Sequence, residues 1–165
     1  MFVIIDNALT EEERLSILEV FANGPGKYDG TNSGKNKWID VEDFDKQDFP
    51  LNAIIDVAKY KFDLTNMVGV ECWSHYGVGV GYHVDKDEKV WTDTGEVKTP
   101  MCSIVYYAQV ENLVGGRFLS TEKNIMAKTN RLIMFSPGLI HGVEQFTGTR
   151  NIVAINPWSY KIDLT

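Results

Sequence analysis

The hydrophobic period of this chain changes once, near Met67, and that change limits what it can fold into. Upstream, apolar residues recur at helical spacing. Downstream, Val68, Val70 and Cys72 alternate with Gly69, Glu71 and Trp73, the period of a strand. Short strand candidates then follow at 81–84, 101–109, 116–120, 124–128, 131–135, 140–146 and 149–157. Turn residues punctuate them: Gly77, Gly79, Gly81, Asn112, Gly115-Gly116, Asn130, Pro137-Gly138 and Gly148.

The first 66 residues hold two helices. Phe2 to Asp6 reads as a short strand. Thr10-Glu11-Glu12-Glu13 then forms a capping box, with three acids at the positive end of the helix dipole. Leu15, Leu18, Phe21 and Ala22 share a face until Gly24-Pro25 stops the helix. The second helix starts near Pro50 and carries Leu51, Ile54, Ile55, Ala58 and Phe62 on one side. Residues 24–37 read as a surface loop. The acidic run from Asp40 to Asp48 reads as a solvated, poorly packed stretch. Two helices followed by about eight strands predict an α+β fold. The strands form a double-sheet jelly roll, cupin-like, with the helices covering one face. One domain is expected over 1–165, with helical support at 1–66 and the jelly-roll core at 67–160.

Composition removes several function classes. A net charge of −7 disfavours a nucleic-acid binder, which usually presents a basic face. No apolar run approaches the ~20 residues of a membrane helix. Phe2-Val3-Ile4-Ile5 is too short for a signal peptide, so a cytoplasmic chain is expected. Cys72 and Cys102 are too few for a zinc cluster and read as strand thiols in a reducing compartment, a single disulfide between them being the alternative.

The chain has three histidines, and two of them fall where an aspartate can join them. In an extended strand, residues i and i+2 share a face about 6–7 Å apart. His83 and Asp85 can therefore converge on one ion, and His141 can reach it from another strand. Two imidazoles and one carboxylate form the facial triad of Fe(II) and leave coordination positions open. A His-x-Asp pair alone arises often by chance. Arg150 sharpens the reading, because a guanidinium deep in a barrel can hold a carboxylate with two parallel hydrogen bonds. Tyr107 can offer the same carboxylate a hydroxyl donor. His75 reads as a bystander, near the site or on the surface.

The ordered string of motifs resembles the 2-oxoglutarate- and Fe(II)-dependent dioxygenases, in their prolyl 4-hydroxylase-like branch. The matching segments lie within residues 70–160. They are Tyr76-Gly77, Gly81-Tyr82-His83-Val84-Asp85, Ile104-Val105-Tyr106-Tyr107, Gly115-Gly116, Arg131 to Phe135, His141 to Gln145, and Thr149-Arg150. Trp158 lies near a family tryptophan, but shifted. The resemblance implies that His83, Asp85 and His141 bind iron. It implies that Arg150, helped by Tyr107, grips the distal carboxylate of 2-oxoglutarate, and that Tyr76 lines the cosubstrate pocket.

The resemblance also implies the reaction. O2 and 2-oxoglutarate are consumed, succinate and CO2 are released, ascorbate can support turnover, and a C–H bond of the substrate is hydroxylated. An intact Asp85 favours hydroxylation over halogenation, because the related halogenases lack this carboxylate. The substrate is expected to be a prolyl or other amino-acid residue in a peptide or protein. A free amino acid or small metabolite is the alternative, and a non-catalytic cupin-like metal-binding module a more distant one. A monomer or weak homo-oligomer is expected.

Candidate substrate contacts are Trp91, Trp38 and Tyr82. Trp91 sits in the polar stretch 86–99, which follows the metal strand directly and reads as a mobile lid. Trp38, with Tyr28, Lys35 and Lys37, belongs to a loop over 24–48 that can form the opposite wall.

Overall fold

A computed structural model describes residues 1–23, 36–75 and 79–164. The loop predicted over 24–35, including Tyr28 and Lys35, lies outside these residues, as does Tyr76. Nine strands form two antiparallel sheets among the described residues. The larger sheet has the order β1 (Phe2–Asp6), β7 (Arg131–Phe135), β5 (Ser103–Gly115), β9 (Phe146–Trp158), β3 (Gly69–His75), β2 (Lys37–Asp40). The smaller has the order β4 (Val80–His83), β8 (His141–Val143), β6 (Phe118–Ser120).

Alternation along the strands divides the core in two. On one face of the large sheet, Val70, Cys72, Ile104, Tyr106, Val153 and Ile155 meet α1 (Glu11–Asn23) and α2 (Leu51–Lys59). On the other face, Tyr107, Ile133, Phe135, Ile152 and Ala154 meet Phe118 of the small sheet. Each fully buried aliphatic or aromatic side chain contributes roughly 1.5–3 kcal/mol. The two sheets therefore enclose a second, smaller core, and the candidate site opens beside it.

The capping box forms: the Thr10 amide donates to Glu13 at 2.8 Å, and the Glu13 amide donates to Thr10 Oγ1 at 3.3 Å. The buried face of α1 is rotated from the expected one. Leu15 is 51% exposed, while Ile17 and Phe21 are buried. Arg14 takes the position one turn before Ile17, and its guanidinium donates to the Ala108 carbonyl of β5 at 2.8 Å. That anchor turns Leu15 outward. In α2, Leu51, Ile54, Ile55 and Ala58 are buried as expected.

Other expectations need correction. Residues 37–48 hold β2 and a short 3-10 helix, Val41–Lys46, with Phe44 buried, so the acidic run is packed rather than merely solvated. Stretch 124–128 forms no strand and makes only a single bridge, Ile125 to Phe118. The stretch 140–146 splits into β8 and the first residue of β9. Asn112 and Gly148 do not end strands. Asn112 (φ 49°) lies inside β5 where its register with β9 shifts, and Gly148 (φ 94°) lies against it. A Cβ at Gly148 would stand 2.2 Å from the Asn112 carbonyl oxygen, so a bulge replaces the expected pair of turns. Cys72 and Cys102 are free, buried thiols. No described helix is long and apolar enough to cross a membrane.

Candidate metal and carboxylate site

His83 and His141 are direct cross-strand partners in the β4–β8 pair, with ring centroids 4.3 Å apart. Asp85 lies two residues past His83, just beyond the end of β4. Its Oδ1 stands 3.6 Å from His83 Nε2 and 3.7 Å from His141 Nε2. One donor atom from each of the three residues lies within 4.8 Å of the others. The strand-spacing argument thus meets the geometry, and the third donor comes from the neighbouring strand.

Each donor is held by a second contact. His83 Nδ1 bonds the Gly81 carbonyl at 2.8 Å, and His141 Nδ1 bonds the Leu139 carbonyl at 3.0 Å. A backbone carbonyl accepts, so the proton sits on Nδ1 and the Nε2 lone pair is left for a cation. Ser103 Oγ donates to Asp85 Oδ2 at 2.5 Å and leaves Oδ1 free. The His141 ring packs between Phe118 and Phe135, with centroids at 5.3 and 4.8 Å. Two imidazole nitrogens and one carboxylate oxygen, with no thiolate, suit Fe(II) better than a structural zinc ion.

Ionisation follows the same contacts. Burial presses Asp85 toward its neutral form. When no cation lies between them, protonation of the apposed His83, the charge of His141 and the Ser103 hydroxyl together outweigh it and hold the carboxyl below its usual range. The Asp85 carboxylate raises His83. Burial lowers His141.

A cavity of about 440 Å³ joins this triad to Arg150. Arg150 is 3% exposed, and no carboxylate pairs with it among the described residues. Its guanidinium lies 5.1 Å from the centroid of the Tyr107 ring and 5.7 Å from that of Phe146. Arg150 Nε and the Tyr107 hydroxyl are buried without a hydrogen-bond partner. A buried cation with no counter-charge is costly unless an anion joins it. The pair therefore fits the far carboxylate of a dicarboxylic acid whose other end reaches the triad.

The remaining candidates are dispersed. Trp91 is 43% exposed on α3 (Glu88–Thr94), with the Lys86 ammonium 5.7 Å from its ring centroid. Tyr82 is 65% exposed. Trp38 donates to Asp40 Oδ1 at 2.8 Å and covers Gly69. None of the three is among the described residues that line the cavity. The stretch 86–99 is not simply a loop: Asp87 Oδ1 caps α3 by accepting from the Val90 amide at 2.9 Å, and Gly95 (φ 73°) ends it. Tyr160 also donates to Asp87 Oδ2, at 3.0 Å. Sequence reasoning passed over Ser103, although a serine opening an apolar strand was a signal. It also set His75 aside, yet His75 lines the cavity.

The fold is similar to that of solved prolyl hydroxylases and of a 2OG-Fe(II) oxygenase-family oxidoreductase. A Pseudomonas putida prolyl-4-hydroxylase superposes with a TM-score of 0.66 at 13% identity, over 98% of this chain and 86% of that one. A Trichoplax adhaerens prolyl hydroxylase, solved with a hypoxia inducible factor oxygen degradation domain peptide fragment, gives 0.58 at 17% identity, over 96% and 83%. A Burkholderia pseudomallei oxidoreductase of the 2OG-Fe(II) oxygenase family gives 0.64 at 11% identity, over 99% and 86%. No family model matches the sequence, and no curated protein matches it.

Proposed function

We propose that this chain is an Fe(II)- and 2-oxoglutarate-dependent dioxygenase that hydroxylates a prolyl or other amino-acid residue in a peptide or protein. One observation carries the reading: a buried arginine with no carboxylate partner among the described residues shares a cavity with a His-Asp-His triad. The two sheets would be the halves of a double-stranded β-helix in a single domain over 1–165. The peptide assignment draws on the Trichoplax hydroxylase, which was solved with a peptide fragment bound.

In this reading His83, Asp85 and His141 hold the iron, and the metal with 2-oxoglutarate and O2 supplies the oxidising chemistry. The protein supplies position and charge. The Gly81 and Leu139 carbonyls fix both imidazole tautomers, and Ser103 fixes the Asp85 rotamer. Arg150 balances the distal carboxylate, the Tyr107 hydroxyl lies beside it, and the role of Tyr76 rests on the sequence resemblance alone. Phe118, Val105, Ile152 and Ala154 give the cavity an apolar lining that limits water. Buried free thiols at Cys72 and Cys102 suit a reducing compartment.

The test is an anaerobic titration with Fe(II) and then 2-oxoglutarate, followed by succinate release with a panel of peptides and free amino acids. A metal-to-cosubstrate charge-transfer band is expected. Its absence would sink the cofactor assignment. Succinate release stimulated by free amino acids alone would replace the peptide reading with the metabolite one.

A further inference from the structure

The cavity holds a polar group that neither the triad nor the arginine accounts for. His75 ends β3 and pairs with Ile152 of β9, which puts it diagonally across from Arg150 on the same sheet face. It is 8% exposed, and its ring lines the cavity. Its Nδ1 is buried without a hydrogen-bond partner. A buried ring nitrogen left unmatched is costly, and such groups are normally satisfied. Two cavity-lining groups share that condition, His75 Nδ1 and Arg150 Nε, and the Tyr107 hydroxyl, whose ring lies against the Arg150 guanidinium, is a third.

We infer that His75 is a cosubstrate-binding residue, donating an imidazole N–H to the distal carboxylate that Arg150 balances. The inference rests on the dioxygenase reading and deepens it, because it names what completes the carboxylate pocket. Burial, and then the charges of Arg150 and His83, push the imidazole down to about 4, so it enters as a neutral donor at physiological pH. A neutral ring suits the place: a second cation beside Arg150 would repel it before any anion arrived. The consequence is selectivity for the number of carboxylates. A 2-oxo acid of the same length without the distal carboxylate gains nothing from His75.

The experiment compares 2-oxoglutarate with 2-oxovalerate by anaerobic titration of Fe(II)-loaded protein, reading Kd from the charge-transfer band and from thermal shift. His75→Phe keeps a flat ring and removes the donor. It should weaken 2-oxoglutarate about tenfold or more, leave 2-oxovalerate within about twofold, and leave Fe(II) affinity unchanged. His75→Asn and His75→Gln place a donor where Nδ1 and Nε2 stand, and one of them should recover most of the loss. Equal weakening of both acids would mean a merely structural role and would overturn the inference. Unchanged 2-oxoglutarate affinity in His75→Phe would also overturn it, with the dioxygenase reading intact. No band in the unaltered protein would overturn both. Should His75→Phe fail to fold, the imidazole nitrogen resonances of the unaltered protein decide: they should shift with 2-oxoglutarate and not with 2-oxovalerate, and the reverse refutes the contact.

Discussion

Ser103 Oγ holds Asp85 Oδ2 at 2.5 Å, so the carboxylate turns its other oxygen toward His83 and His141. The hydroxyl comes from the large sheet and the imidazoles from the small one. Ser103→Ala should therefore weaken Fe(II) binding about 10–100-fold while preserving the fold. Anaerobic metal titration checks this. Asp85→Ala, which removes the donor itself, should abolish turnover.

Arg150 should affect stability and binding in opposite directions. Arg150→Met removes a buried cation that has no counter-charge among the described residues, so the cosubstrate-free protein should gain stability, on the order of 1 kcal/mol. The same change should raise the 2-oxoglutarate requirement by about 2–5 kcal/mol of lost binding, roughly 30-fold to several-thousand-fold. Urea unfolding of the free protein and the KM for 2-oxoglutarate in succinate release provide the two readings. An unchanged KM would remove Arg150 from its proposed role.

Gly142 follows His141 in β8 and lies close against the backbone of β4. A Cβ there would stand 2.8 Å from the Val80 carbonyl oxygen. Gly142→Ala should push β4 away from β8 and separate His83 from His141. Fe(II) affinity should fall at least tenfold, with a stability cost of about 1–3 kcal/mol. A titration calorimeter and a melting curve separate the two effects.

Glu71 sets a pH dependence. Burial, reinforced by the charges of Asp85 and Asp87, pushes its carboxyl up to about 7, although the Asn36 amide bonds it. The folded chain thus keeps a proton that the unfolded chain releases near 4.5. This contribution is fully present below the unfolded value and is lost as pH rises through about 7, a change on the order of 3 kcal/mol. His75, pushed down to about 4, acts in the opposite sense over part of the same range, so the Glu71 contribution is read as a difference. By denaturant titration between pH 5 and about 8, Glu71→Gln should lose less stability with rising pH than the unaltered protein.

The closeness of His83 and Asp85 was legible because strand geometry is short-ranged: the two needed only a period of two. That His141 would join them from another strand was foreseen; the register that sets it directly opposite His83 was not, because it depends on contacts across 58 residues of chain. The strand β7 matched its predicted bounds because alternation and flanking turns agreed. The long strands β5 and β9 did not, because Asn112 and Gly148 carry turn chemistry that a bulge in β5, packed against Gly148, uses instead. Helix α3 escaped notice because it buries no side chain and so shows no apolar period; only its cap, Asp87, and its terminating Gly95 marked it. His75 looked idle because its value lies in a missing partner, which no sequence pattern records.

The small sheet is built from strands of three or four residues, and two of its side chains stand opposite a carboxylate tethered to the large sheet. An ion shared by these three groups would act as a cross-link between layers. Amide hydrogens of β4 and β8 should then exchange rapidly in chelator-treated protein and slow when Fe(II) is restored, while those of β5 and β9 barely change. Such a cross-link would make the small sheet's resistance to a protease depend on whether the ion is bound.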